Sequence, residues 1–392
     1  MSKMDQLDMH TNASMRKRLR ADKRFKLYGL AAISFALAFL VFFFVDIIGK
    51  GAPAFQQAEI QVTVHYSEAA INNYNKAVDK EYKHLVSKAW LRLVPNQIAG
   101  KPELLGQDYE EWVLAENSVD QYLKGHEGHR LKEKNQRLVD QMKTDGKVRL
   151  VFNSGFFNSG DSKLPENAGI LAAAIGSVMV LLLTMLFAVP VGVMTAIYLE
   201  EFAPDNRLTQ VIEVNINNLA AIPSILYGLL GLAIFINVMG APRSSALVGG
   251  LTLALMTLPV IIIATRAALR SVPEPIREAA YGLGASSLQV VWHHVLPLAM
   301  PGILTGSIIG LAQAMGETAP LLIVGMMAYI PDAPGSIFEA TTVLPAQIYT
   351  WSSESVRAFE ERTAAGIMVL LTVLLTMNAI AVKFRNRSEN TW

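Results

Sequence analysis

Six apolar runs, each long enough to cross a bilayer as a helix, dominate this chain of 392 residues. They lie at about Phe25 to Ile48, Ala168 to Leu199, Leu208 to Met239, Ala246 to Ala268, Leu298 to Tyr329 and Ala364 to Val382. A membrane-spanning helix needs about 20 apolar residues. Inside hydrocarbon the backbone must satisfy its own polar groups, so such runs fold as helices. Composition agrees: 52% of residues are hydrophobic and 17% are charged, against roughly 25% charged in a soluble domain. The sequence predicts an integral membrane protein surrounded by lipid. It contains no cysteine, which excludes disulfides, thiolate metal sites and cysteine nucleophiles.

Charge orients the runs. Arg16, Lys17, Arg18, Arg20, Lys23, Arg24 and Lys26 sit at the head of the first, and Lys383, Arg385 and Arg387 follow the last. Excess Lys and Arg mark the cytoplasmic side, so both termini are expected inside, as an even number of spans requires. The connection between the fourth and fifth runs carries Arg270 and Arg277, with Arg266 just before it, and falls on the same side. Arg266 itself reads as an interfacial anchor. The first run could be a signal peptide cleaved at Ala52-x-Ala54. Its uncharged core from Leu27 to Val45 exceeds the 7 to 15 residues of a signal segment, however, so a retained span is expected.

The expected organisation is a basic segment (1–24), a first span (25–48), an extracytoplasmic domain (49–166) and a five-span membrane domain (167–387). In the outer domain Ile60, Val62, Val64 and Tyr66 alternate with Glu59, Gln61, Thr63 and His65, the pattern of a half-buried strand. Helices are predicted over about Glu68 to Val94 and Tyr109 to Met142, and a strand over Val148 to Phe152, giving a small α+β domain. The stretch HEGHR places His126 and His129 three apart, where a helical zinc site needs four, and Gly125 and Gly128 favour a turn. It reads as a solvated loop, with no metal site.

One acidic residue stands apart. Between Pro297 and Ile330, Glu317 is the sole Asp, Glu, Lys, Arg or His. A carboxylate at that depth faces a bundle interior or a watery path, and it must pair with a cation, hold a proton or support structure. Gly302, Gly306, Gly310, Ala314 and Thr318 recur every four residues, a small-residue stripe for close helix packing. Gln313 and Glu317 border it. Ala220, Ser224, Gly228 and Gly231 make a similar stripe in the third run, with Asn215 and Asn218 near its cytoplasmic end. Glu317, Gln313, Thr318, Asn218 and Ser224 are the candidate path residues. For Asn218 and Ser224 a packing role and a ligand-contacting role are equally open.

The fourth connection, SVPEPIREAAYGLGASSLQVVWHHVLP (271–297), is the most informative. Pro273 and Pro275 suit a helix start, Glu274 and Glu278 lie near its positive end, and Gly282 and Gly284 end or bend it. A short amphipathic helix, a turn and a second helix on the cytoplasmic face would dock into a soluble partner. Glu278-Ala279-Ala280, Gly284 and Leu296-Pro297 resemble the EAA-x3-G-x9-I-x-LP loop of ABC importer permeases, with His294 where that pattern has Ile. No G-x-x-x-x-G-K-[ST] occurs, since Lys50, Lys101 and Lys147 are followed by Gly51, Pro102 and Val148. The energy source is expected on another chain.

AIYLEEFAPDNR, NINNLAAIPSILYGLLGL, GETAPLLIVG and LPAQIYTW are similar to the phosphate-importer branch of that family, the PstA type, over about residues 150 to 387. The resemblance implies a transport subunit, not an enzyme, with the six-helix type I fold in a bacterial inner membrane. It implies a companion permease of the PstC type, an ATP-binding subunit dimer carrying ATP and magnesium, a periplasmic phosphate-binding protein, inorganic phosphate as cargo and no nucleic acid. Glu278, Ala279, Ala280 and Gly284 would couple to the ATPase, and this chain itself would hold no cofactor. Related permeases commonly carry Arg in an A-R-A-x-G-E-T pattern, where this chain has Gln313. The other readings are a permease for molybdate or sulfate, and a membrane-anchored sensor whose spans relay a signal.

Overall fold

A computed structural model describes residues 3–126 and 128–388. Helix α1 (Lys3–Gly51) runs unbroken through the basic segment and the first apolar run. The residues from Gly51 onward form a separate compact unit.

That unit begins with the outer domain. Strand β1 (Gln56–Tyr66) is central, flanked antiparallel by β2 (Gln107–Leu114) and β3 (Val148–Phe152). Its even-numbered residues Ala58, Ile60, Val62, Val64 and Tyr66 are buried, as the alternation predicts. They pack under α3 (Lys88–Gly100), α4 (Asn117–Leu123) and α5 (Glu133–Thr144) through Leu91, Val94, Val119 and Val139. The predicted helix over Glu68 to Val94 is instead α2 (Glu68–Asn72), a 3-10 turn and a loop before α3. The Asn73 side chain accepts from Asn75 N–H and diverts the chain. The predicted helix over Tyr109 to Met142 is also corrected. Its first residues form β2, where Trp112, Val113 and Leu114 pair with Gln61, Ile60 and Glu59. Aromatic and branched residues fit that pleated surface better than a helix. Helix α6 (Ser154–Asn158) leads out of the domain.

The membrane region follows: α7 (Leu171–Ile197), α8 (Arg207–Ala220), α9 (Ser224–Gly231), α10 (Ala246–Arg270), α11 (Glu274–Gly282), α12 (Ser287–Val290), α13 (Leu296–Gly316), α14 (Ala319–Ile323), α15 (Leu344–Ser352) and α16 (Ala358–Ser388). Among the described residues five helices are long and apolar enough to cross a membrane, and α8 with α9 and the π-turn after it can supply a sixth. Helix α10 is the hub: 67% of its most apolar stretch is buried, against 11% for α16. It packs on α7, where Gly250 admits the Leu183 side chain, and on α13, where Gly302, Gly306 and Gly310 meet Ala268, Ala264 and Ile261. The predicted stripe is therefore a helix–helix contact.

Two runs are not the straight helices they were expected to be. The third bends by 105° between α8 and α9. Pro223 lacks an N–H to continue the ladder and disfavours helix in the residue before it. As a result Gly228 and Gly231 are buried while Ala220 is exposed, so that stripe does not run through. The fifth stops at Gly316, where Glu317 turns to extended backbone (φ −80, ψ 121) before α14. Pro320 enters three residues later.

Candidate functional site

The two helix breaks meet. Helix α9 packs on α14, and a Cβ on Gly228 would lie 2.7 Å from Pro320 Cα and 3.0 Å from Ile323 Cβ. Ser224 heads one of these short helices and Thr318 is the residue before the other, both half-buried. Discontinuous helices at membrane depth leave backbone polar groups free to line a cavity or path. Glu317 is half-buried at the end of α13, not sealed within a continuous span, and Gln313 one turn earlier is exposed. The expectation that Glu317 points into this chain's own bundle is thus corrected to a position on its margin. Among the described residues no Lys, Arg or His pairs with it. Asn218 is exposed near the end of α8, on the far side of the bend from Ser224. Ser224, Glu317 and Thr318 are therefore half-buried at the two breaks, whereas Asn218 and Gln313 are each exposed.

The second part of the site is the loop after α10. Pro273 caps α11 and Pro275 lies in its first turn, as predicted. Gly282 ends the helix and Gly284 takes φ +84, a conformation costly for any side chain, with open space where a Cβ would stand. Ser286 and Gln289 then form a reciprocal capping box that starts α12. Ala280 is buried against the membrane helices, whereas Glu278, Ala279 and Gly284 face outward. Beside them Leu283 is 91% exposed, and Tyr281, Leu288 and Trp292 are exposed as well. A cluster of bare apolar side chains between charged ones is the surface character of a docking site.

What holds this loop was not anticipated. A π-turn, Tyr198–Phe202, ends α7 and carries Glu200 and Glu201. Glu201 accepts from Arg277 Nη2 at 2.8 Å, and both side chains are nearly buried. Arg277 also donates to the carbonyls of Val272 (2.8 Å) and Leu269 (2.9 Å). It thereby satisfies acceptors that a helix end leaves open. Glu200 accepts from Arg266 Nε (3.1 Å) and Arg270 Nε (2.6 Å), and Arg266 Nη2 reaches Glu213 of α8 at 2.5 Å. Arg266 is thus a bridge between three elements, which corrects its reading as an interfacial anchor. The signal was present as two adjacent carboxylates at the end of one apolar run and three arginines, Arg266, Arg270 and Arg277, within twelve residues at the end of another.

A third charged cluster ties the outer domain to α16. Lys124 Nζ lies 2.6 Å from Asp120 and 3.3 Å from Glu361, with 4% of its side chain exposed. Gln121 Nε2 donates to Glu361 at 2.6 Å, and Arg362 Nη1 donates to the Ala54 carbonyl at 3.1 Å. His126 Nε2 lies 2.7 Å from Glu361, and His129 sits edge-on to Tyr122. His126 therefore packs on the head of α16 and His129 is half-buried, which corrects the solvated reading for those two; Gly128 and Arg130 are exposed as expected, and Glu127 lies outside the described residues. Gly125 (φ +78) and Gly128 (φ +102) supply the turn, as expected. Glu166 accepts from Ser87 Oγ at 3.0 Å, and burial pushes its carboxyl above the ordinary range.

Comparison with known proteins agrees with this layout. Residues 188–388 match the family described as binding-protein-dependent transport system inner membrane component, and residues 12–97 match a domain of unknown function. The phosphate transport system permease protein PstA 1 of Mycobacterium tuberculosis (strain CDC 1551 / Oshkosh) is 33% identical over 57% of this chain and 73% of its own. A probable ABC transporter permease of Bacillus subtilis, YqgI, is 30% identical over 58% and 81%. The phosphate transport system permease protein PstC of Pasteurella multocida is 33% identical over 47% and 64%. Among solved structures, an inward-facing MetNI methionine ABC transporter aligns with a TM-score of 0.43 at 19% identity, covering 55% of this chain and 95% of its own. The fold is a helical membrane domain of the type I ABC importer permease kind with a small α+β domain near the N-terminus, and the chain belongs to the family of binding-protein-dependent transport system inner membrane components.

Proposed function

We propose that this chain is the membrane-spanning permease subunit of an ATP-driven inorganic phosphate importer in a bacterial inner membrane. The observation that carries the reading is the similarity to PstA permeases at 33% identity over 57% of the chain. The loop geometry supports coupling: Glu278, Ala279 and Gly284 face outward beside exposed Leu283 and Tyr281, on a base clamped to α7 by Arg277. An ATP-binding subunit dimer docked there would move α10 and α13 together, because both ends of the loop continue into those helices. A companion permease of the PstC type would cover exposed Gln313 at the end of α13. It would also supply the cation that Glu317 needs, since phosphate carries the same sign as a bare carboxylate. A periplasmic phosphate-binding protein would deliver the cargo. ATP and magnesium would belong to the partner.

Affinity purification of the full chain from its own membranes tests the assembly. Recovery of an ATP-binding subunit is expected with the wild-type chain and with Gly284→Asp, the variant keeping hydrolysis and losing uptake. Recovery of the intact chain with no ATP-binding subunit would favour the sensor reading. Uptake that prefers molybdate or sulfate over phosphate would move the assignment to another oxyanion.

A further inference from the structure

The outer domain carries a groove used by neither the helix crossing nor the coupling loop. It encloses about 390 Å³ between the loop ahead of α3, the start of α4 and the head of α5. Lys80, Lys83, Lys88, Arg130, Lys132 and Lys134 line it, against two carboxylates, Glu81 and Glu116. Glu116 is already engaged, accepting from Ser118 N–H at 2.8 Å. Among the described residues none of the six cations forms an ion pair.

Six like charges around one concavity repel one another, and that repulsion works against the compact state. The exposed lysines among them contribute no core packing that would offset it. Lys and Arg offer hydrogen-bond donors and no acceptor, and the neutral lining groups Ser118 and Asn135 can donate too. The complement is a compact, multiply charged anion rich in acceptor oxygens. Buried Val86 and Leu131 also contribute to the lining, so the groove has depth. A tetrahedral oxyanion can enter it, whereas a broad acidic protein face would meet only the rim.

We propose that this groove binds phosphate groups. With six cations against two carboxylates over a low-dielectric floor, it concentrates such anions at the outer surface. The groove's chemistry carries this without the import reading, and binding here is measured apart from uptake.

The test uses the full chain in phosphatidylcholine nanodiscs, titrated with radiolabelled inorganic phosphate at ionic strength held constant with sodium chloride. It is compared with Lys83→Gln/Arg130→Gln/Lys132→Gln, checked by circular dichroism for unchanged fold. Saturable binding weakened about tenfold or more in the variant is expected, as loss of three charge-assisted donors implies. A short-chain phosphatidylglycerol added as competitor separates the sources. Displacement of phosphate at equal or lower concentration identifies a lipid headgroup as ligand, and failure to displace identifies free phosphate. Identical titrations in both proteins would place bound phosphate elsewhere and overturn the proposal. Binding of an acidic peptide with no phosphate binding would overturn it too, in favour of a protein partner.

Discussion

Glu317 was legible as an anomaly from sequence, because one carboxylate in a long apolar run demands an explanation. Its surroundings were not legible. A four-residue spacing from Gln313 suggested a shared inward face, but α13 ends at Gly316 and the last turn presents Gln313 outward. The small-residue stripe was read correctly up to Ala314, since Gly302, Gly306 and Gly310 each meet a residue of α10. On this account Glu317→Gln assembles normally yet imports poorly, while Gln313→Arg is tolerated. Complex recovery and uptake measured on the same membranes separate these effects. Loss of the complex in Glu317→Gln would make the residue a structural tie, and wild-type uptake would remove its role. Gly284→Asp is expected to leave ATP hydrolysis intact and abolish its coupling to transport, because an aspartate at φ +84 strains the turn that presents the loop. Wild-type uptake at normal expression would contradict that.

Elements were more legible than their ends. The alternation in β1 and the proline and glycine punctuation of α11 follow local rules, and both appear where expected. The clamp of the coupling loop did not, because it joins Glu201 to Arg277 across 76 positions. Replacing Arg277 by Ala would leave Glu201 nearly buried and unpaired, at a cost of about 3–5 kcal/mol. The expected result is a complex that forms less readily and melts earlier, with the double variant Glu201→Gln/Arg277→Ala recovering part of the loss. A double variant no better than the single one would show that the pair is not the fastening. At the other end of the molecule, burial raises the Glu166 carboxyl above its usual range. A carboxyl raised in the folded state supplies stability that is full below its unfolded value and is lost as pH rises through the folded one. Glu166→Gln should therefore melt higher than wild type near neutral pH, and the difference should shrink on acidification. A difference that grows toward acid would reverse the sign and refute the assignment.

At the scale of the whole molecule, hydropathy matched five of the spans and, with the bent pair, a sixth, but not their breaks. A proline in an apolar run marks a bend only when tertiary packing uses it: Pro190, Pro259 and Pro301 lie inside helices α7, α10 and α13, whereas Pro223 opens a 105° bend. Orientation is the next consequence. If both termini are inside, single cysteines at Lys101 and Lys132 react with impermeant thiol reagents in intact spheroplasts. Labelling of both only after lysis would invert the topology. The central claim, that this chain forms the path for phosphate, is tested most directly by uptake of radiolabelled phosphate into proteoliposomes containing its copurified partners, with and without this chain. ATP-dependent accumulation only when the chain is present, undiminished by excess sulfate or molybdate, is the predicted result. Equal accumulation without the chain would contradict the account.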